Sequence, residues 1–451
     1  MKRIRHSMLE GPLLPAIISY TIPIILTSIL QLLFNAADLV IVGRFRGSLS
    51  VAAVSATSAL INLIVNLFIG LSIGAGVSVA HGLGGHEDDV VHKTVHTALP
   101  TAIVGGAIVT VIGVCFSSAF LRLMGTPETV LPLSSLYMKI YFSGMIFTMV
   151  YNFCASILRA AGDTKSPLIF LAIAGVLNVG LNVVFVTAFH MNVEGVALAT
   201  VISQALSAIL VVLALMRRKD ACKLYLRKIR FYKPQLLKMI RIGLPAGIQS
   251  SLFSISNVLI QSSINSFGDV LMSGSGASAS IEGFIYVTFN AFHQTSVNFI
   301  GQNAGAGQYR RVKQVLYTCL ASALVATLTV SFLAYGFGPQ LLSIYITDSQ
   351  EAISLGMTRL MYTALPYFLC ALMDVTTGAL RGIGASVTPM LISVLGICGI
   401  RILWIYTIFR IPAFHTPECL YLSYPISWLI TFLFQFAAFS IIYKKRVRIQ
   451  I

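Results

Sequence analysis

Thr27, Gln31, Asn35 and Asp38 recur at helical spacing through an otherwise apolar stretch that ends QLLFNAADLVIVGRFRG. Steps of four, four and three residues put all four on one face of a helix. A carboxylate at the end of a stripe of amides and a hydroxyl suits the reversible binding of a small cation. A proton needs only the carboxylate and a tuned environment, whereas Na⁺ wants several oxygens. Asp38 lies about 9 Å along the helix from Arg44, inside the apolar run. A charge in hydrocarbon costs at least about 2.5–3.5 kcal/mol, so such a stripe should face a helix bundle or a watery cavity. The plainer reading is a hydrogen-bonded seam between helices that ends in a protonated aspartate.

Further polar residues sit in apolar stretches. Asn178 and Asn182 are four apart, and Thr200, Ser203, Gln204 and Ser207 share a face of the next stretch. Asn182 lies about 24 Å from the inner start of its helix and Thr200 near the outer end of the next, so both match the depth of Asp38. In the second half, Ser250, Ser254, Asn257 and Gln261 form a stripe, and Glu282, Tyr286, Asn290 and His293 share a face. Asp374 lies seven residues before Arg381. Arg401, about 20 Å into its stretch, needs a carboxylate. By depth Glu282 is a better partner for it than Asp374, and such a pair would fix the second half or, if open, meet a ligand. Tyr141 and Tyr286 are among several aromatic residues that either line a cavity or pack.

The elements that carry these residues must be membrane spans. Of the 451 residues, 57% are hydrophobic and 10% charged, against roughly 25% charged in soluble domains. A span needs about 20 apolar residues. Twelve candidates follow: 14–43, 51–80, 95–120, 133–158, 167–189, 195–216, 237–266, 277–300, 312–337, 357–380, 388–411 and 421–442. The first exceeds what a bilayer requires, and Pro23 offers a kink. It is also too long for a signal peptide's core.

Lys2, Arg3, Arg5, Lys93, Arg159, Lys165, Arg310, Arg311, Arg381 and the basic tail collect on one side, with the 217–241 stretch. Both termini are therefore expected in the cytoplasm. The formal charge of +16 follows from this topology and implies no nucleic-acid partner. The seven cysteines form no C-x-x-C or Cys/His cluster and read as apolar fillers. The glycine-rich stretches at 82–85 and 301–307 follow no strand and lack a Lys-Ser/Thr pair, so they indicate no nucleotide site. No paired catalytic signature is present; an enzyme is not expected, nor a cofactor.

The basic interruption divides the spans six and six. The halves align at a nearly constant offset of 222 residues: Pro23 with Pro245, Asn35 with Asn257, and LRAAGDTKSP with LRGIGASVTP. Asp38 itself aligns with Ile260. Six spans per half make the repeat parallel, an arrangement suited to alternating access. The expected organisation is an N-lobe over 1–216, a cytoplasmic linker over 217–236 and a C-lobe over 237–451.

In the order and spacing of Pro23 with Asp38 and Gly43, GLGGHEDDVV and GQNAGAGQYRRV, the two LR-x-x-G repeats, and LNVGLNVVFV…GVALATVISQ, the chain resembles the multidrug and toxic compound extrusion (MATE) family. The resemblance covers essentially the whole chain. It implies an all-α integral membrane protein, twelve transmembrane helices in two pseudo-symmetric six-helix bundles around a central cavity. It implies a secondary antiporter in the cell membrane that exports amphipathic, cationic small molecules against H⁺ or Na⁺. It also implies a cation site on Asp38, Asn178, Asn182 and Thr200, with no other metal. Several relatives carry aspartate at position 182; asparagine there removes a charge and favours H⁺. The substrate cavity is expected to draw on Gln31, Asn35, Tyr141, Asn257, Gln261, Glu282, Tyr286, His293, Asp374 and Arg401. A monomer is expected. The rival reading is a flippase for lipids or polysaccharide precursors of the same superfamily.

Overall fold

The computed structural model describes residues 8–347 and 349–450. Lys2, Arg3 and Arg5 lie outside the described residues. Sixteen α-helices and no strand occur among the described residues. The helices are α1 (Leu13–Arg46), α2 (Ser48–Gly84), α3 (Asp88–Leu123), α4 (Leu131–Ser143), α5 (Met145–Ala160), α6 (Lys165–Thr187), α7 (Val193–Met216) and α8 (Lys233–Asn265). There follow α9 (Asp269–Gly305), α10 (Tyr309–Gly336), α11 (Gly338–Tyr345), α12 (Gln350–Arg359), α13 (Tyr367–Gly382), α14 (Val387–Ser393), α15 (Ile400–Tyr406) and α16 (Pro417–Gln450).

All twelve expected spans fall on helix. Among the described residues, nine helical segments are long and apolar enough to cross a bilayer, ten with the bent pair α4–α5. α8 and α9, of 33 and 37 residues, are as long but more polar. Full helicity is what a bilayer demands of a spanning chain, because every backbone polar group must find its partner internally.

Three spans depart from simple rods. The stretch expected at 133–158 is bent by 47° between α4 and α5. The bend falls at Gly144, where a Cβ would run into the Val201 side chain. In the stretch expected at 357–380, a π-helical turn at Leu360–Ala364 links α12 towards α13, and Pro366, which lacks an N–H, follows it. A second π-helical turn, Val394–Gly399, separates α14 from α15. Such turns are rare and concentrate at functional sites.

The chain forms two compact units. One runs from Ile22 to Ser251; the other comprises the chain through Thr21 and everything from Leu252 onward. α1 and α8, each a continuous helix, thus contribute to both. In the first unit Met138, Phe142, Met145, Met149 and Phe153 are fully buried. Here α2 meets the first part of α8 glycine against glycine. A Cβ on Gly70 or Gly74 would enter the backbone at Gly247 or Met239, and one on Gly243 or Gly247 the backbone at Leu71 or Leu67. These are two facing Gly-x-x-x-Gly stretches, which let membrane helices pack backbone to backbone. In the second unit Ile281, Ile285, Leu342 and Leu360 form one apolar cluster and Ile260, Ile264, Phe409 and Tyr421 another.

Candidate functional site

Asp38 is in the C-terminal third of α1, and its neighbours Gln31 and Asn35 on the same stripe are exposed. Asp38 itself is buried, 9% exposed. What holds it there is the packing one turn earlier. Phe34 lies where a Cβ on Gly175 of α6 would be, so α1 and α6 approach closely. Four residues on, Asp38 shares Phe34's face, and Asn178 and Asn182 share the face of Gly175. The Asn182 amide donates to the Asp38 carboxylate at 2.5 Å. The same amide donates to Asn178 Oδ1 at 3.2 Å. The Asn178 amide in turn donates to Thr200 Oγ1 on α7 at 3.4 Å, and the Thr200 hydroxyl donates to the Val196 carbonyl. Thr200 also interacts with the carboxylate, and Tyr137 and Tyr141 of α4 lie within reach of its charge.

The four residues expected to form one site are therefore together. All of Asp38's neighbours are neutral, and no ion pair involves it among the described residues. The donors converge on the carboxylate, which stabilises it when charged. Asn182 Oδ1 is buried and has no hydrogen-bond partner. It is the oxygen that would turn inward to meet a metal cation. Among the described residues no group of three or more His, Cys, Asp or Glu is placed to hold a metal.

The second unit holds a different charge system and corrects one expectation. Glu282 pairs with Arg359, not Arg401. Arg359 Nε and Nη2 donate to the two carboxylate oxygens at 2.9 and 2.8 Å. Thr363 donates to Glu282 at 2.5 Å, and Arg359 Nη1 donates to Ser275 at 2.6 Å. Both charged side chains are 8% exposed. Rise along a helix sets depth but not which helices adjoin, so the similar depths of Glu282 and Arg401 do not make them neighbours. Arg359, near the start of its apolar stretch, reads in the sequence as a boundary charge. Arg401 instead rests against Tyr424 and Trp428, with Asn257 and Ser427 as its acceptors.

The remaining residues are dispersed. Gln261 donates to Asn265, and Asn290 to the Tyr286 hydroxyl; Tyr286 is 44% exposed. His293 Nδ1 contacts the Asp374 carbonyl at 2.7 Å, and its Nε2 contacts Arg381 at 3.3 Å. Arg381, expected at a wet boundary, is buried. Asp374 is half-buried. The facing glycines of α2 and α8 are a contact that the sequence does not announce, although GLSIG and GLPAG display the spacing.

The MatE family model matches residues 23–184 and 245–407, one copy per half. The chain is 27% identical over 436 residues to the probable multidrug resistance protein YoeA of Bacillus subtilis, covering 95% of this chain and 93% of that one. It is 26% identical to an FAD transporter of Shewanella oneidensis over 77% of each chain. It is 21% identical to the multidrug export protein MepA of Staphylococcus aureus over 83% of each. Among solved structures, a MOP superfamily transporter from Pyrococcus furiosus, described as having a binding pocket of reverse polarity, superposes with a TM-score of 0.90. The two are 19% identical over 97% of this chain and 98% of that one. A MATE structure in the bent conformation superposes at 0.89, with 18% identity over 99% of both chains. Two matched copies, spanning most of the chain and beginning at the paired prolines Pro23 and Pro245, make this chain a member of the MatE family of multi-pass membrane transporters, which are not enzymes.

Proposed function

We propose that the chain is a secondary antiporter that expels amphipathic, cationic small molecules in exchange for H⁺, with Na⁺ as the alternative coupling ion. Both termini lie in the cytoplasm in this reading. The observation that carries it is Asp38: a buried carboxylate in a membrane-spanning helix, held by Asn182 at 2.5 Å and lacking any cationic partner among the described residues. A charge so placed is costly unless it does something. The named activities of YoeA and MepA, multidrug resistance and export, support the direction and the breadth of cargo.

In this mechanism the empty, ionised carboxylate takes a proton from the external side. Neutralisation weakens the charge-assisted bond from Asn182, since bonds to ionised acceptors are roughly twice as strong as neutral ones. The outer part of α1 then repacks about Pro23, which has no N–H to donate to the Ser19 carbonyl one turn earlier, and cargo leaves outward. Loss of the proton to the cytoplasm resets the cycle. With its N–H turned toward the carboxylate, Asn182 offers Na⁺ no oxygen until the amide rotates, which supports H⁺ over Na⁺ although the same bond stabilises the ionised carboxylate. A cationic cargo is the class the family resemblance implies. Asp374, half-buried and near Arg381 and His293, is in none of the ion pairs among the described residues and is the carboxylate proposed to meet it, since Glu282 is occupied by Arg359.

The test is efflux of ethidium from reconstituted vesicles with proton and sodium gradients imposed separately. Asp38→Asn should reach the membrane folded and lose gradient-driven efflux. Efflux that survives undiminished removes Asp38 from the mechanism.

A further inference from the structure

Of the three buried arginines in the second unit, Arg359, Arg381 and Arg401, the first and last are in opposite states. Arg359 is saturated: Nε, Nη1 and Nη2 all donate, at 2.6–2.9 Å, to Glu282 and Ser275. Arg401, 4% exposed, has no carboxylate within ion-pair distance among the described residues. Among the described residues the ion pairs are Lys93–Asp89, Arg218–Asp220 and Arg359–Glu282. Its hydrogen bonds are long and go to neutral oxygens, Nε to Ser427 Oγ at 3.2 Å and Nη1 to Asn257 Oδ1 at 3.3 Å. A charge-assisted bond is ordinarily 2.7–2.9 Å. The rings of Tyr424 and Trp428 stand 4.1 and 5.9 Å from the guanidinium carbon. They shelter the cation without neutralising it.

The third nitrogen, Nη2, has no partner among the described residues, and it is not one of the sealed polar atoms. It is the guanidinium nitrogen of Arg401 left unengaged among the described residues. Asn257, the acceptor beside it, is exposed, and its amide N–H groups are unengaged among the described residues. The π-helical turn Val394–Gly399 immediately precedes the helix that carries Arg401.

We propose that Arg401, with Asn257 at its edge, is a subsite for an oxyanion carried by the cargo. The ligand class is an amphipathic organic molecule that bears a carboxylate beside its cationic group. An incoming carboxylate takes Nη2 and displaces the long Asn257 contact from Nη1, giving the two-pronged geometry that guanidinium favours. The freed Asn257 amide adds a donor. The subsite deepens the transport reading and rests on it only in calling the ligand a cargo. Binding at equilibrium involves neither Asp38 nor an ion gradient, so the two ideas fail separately.

The experiment measures fluorescence anisotropy of three probes with one ring system, pyrenebutyrate, pyrenebutanol and pyrenebutyltrimethylammonium. The protein is held in nanodiscs of phosphatidylcholine alone, then with phosphatidylglycerol added. The wild-type protein should bind pyrenebutyrate more tightly than pyrenebutanol. Arg401→Gln should weaken pyrenebutyrate by about 10- to 100-fold, the range of one or two charged hydrogen bonds, and leave the other two probes unchanged. Should that variant fail to fold, Arg401→Lys, which keeps the charge and loses the fork, should show a loss confined to pyrenebutyrate. Equal losses for all three probes, or no preference in the wild type, overturn the subsite. Displacement of pyrenebutyrate by phosphatidylglycerol overturns its assignment to cargo in favour of a lipid headgroup.

Discussion

Removing the charge from Glu282 should destabilise the second unit more than removing the pair. In Glu282→Gln, Arg359 keeps Ser275 and the Tyr421 ring, 5.8 Å away, but loses a counter-ion bound through two nitrogens. In Arg359→Met, the carboxylate keeps only the Thr363 hydroxyl. Both side chains are 8% exposed, so water cannot take over. Each single change should cost about 3–5 kcal/mol, the usual result of leaving one buried charge uncompensated. The double variant Glu282→Leu, Arg359→Met replaces the pair by apolar groups. It should lie within about 2 kcal/mol of the wild type or above it. The coupling in the double-mutant cycle is then at least about 4 kcal/mol. Both tryptophans of the chain, Trp404 and Trp428, lie in this unit. Their fluorescence during SDS titration of the protein in mixed micelles reports its unfolding directly. Single variants within about 1 kcal/mol of the wild type, or a double variant that only sums the singles, would refute the argument from buried charge. Ion-coupled efflux by a folded double variant would further separate Glu282 from the coupling chemistry.

Two more expectations concern the first unit. Gly74→Ile should cost about 1–3 kcal/mol or more in an SDS titration followed by far-ultraviolet circular dichroism, since the first unit holds no tryptophan, because its side chain enters the backbone of α8 at Met239 and a packed contact cannot absorb it. Gly180→Ala on α6, where nothing lies within 4 Å of the added carbon, should instead be neutral or gain up to about 1 kcal/mol; equal losses at both sites would count against the close contact. Asn182→Asp should place a second carboxylate against Asp38 and raise the demand for a metal cation. Efflux at fixed pH should then gain Na⁺ dependence, and an unchanged response to Na⁺ would count against a shared ion site.

The sequence carried the first unit's site because a spanning helix has a fixed rise. Depth could be counted for Asp38, Asn182 and Thr200, and the three depths agreed. Phe34 against Gly175 supplies the lateral fit that counting could not reveal. In the second unit depth alone pairs Glu282 with Arg401. Depth fixes height and leaves the neighbouring helix open, so Arg359 stands in the sequence as one more polar residue near the start of a span. The bend at Gly144 was hidden for a related reason: hydropathy runs unbroken across it, and only the Val201 side chain shows why glycine is needed. The facing glycines of α2 and α8 were visible as spacings, but a spacing names no partner helix.

Asp38 also sets the electrical bookkeeping of a transport cycle. Within Ile22–Ser251 it is the acidic residue that lies away from the end of a helix, and every group around it is neutral. One ion bound there changes the unit's formal charge by one. A monovalent cation leaving as one proton enters is electrically silent, whereas expulsion of a neutral or zwitterionic molecule carries one net charge inward. Only the second process draws on membrane voltage, at about 2.3 kcal/mol per 100 mV, so the current recorded across a planar bilayer reads out the charge state of whatever is being expelled.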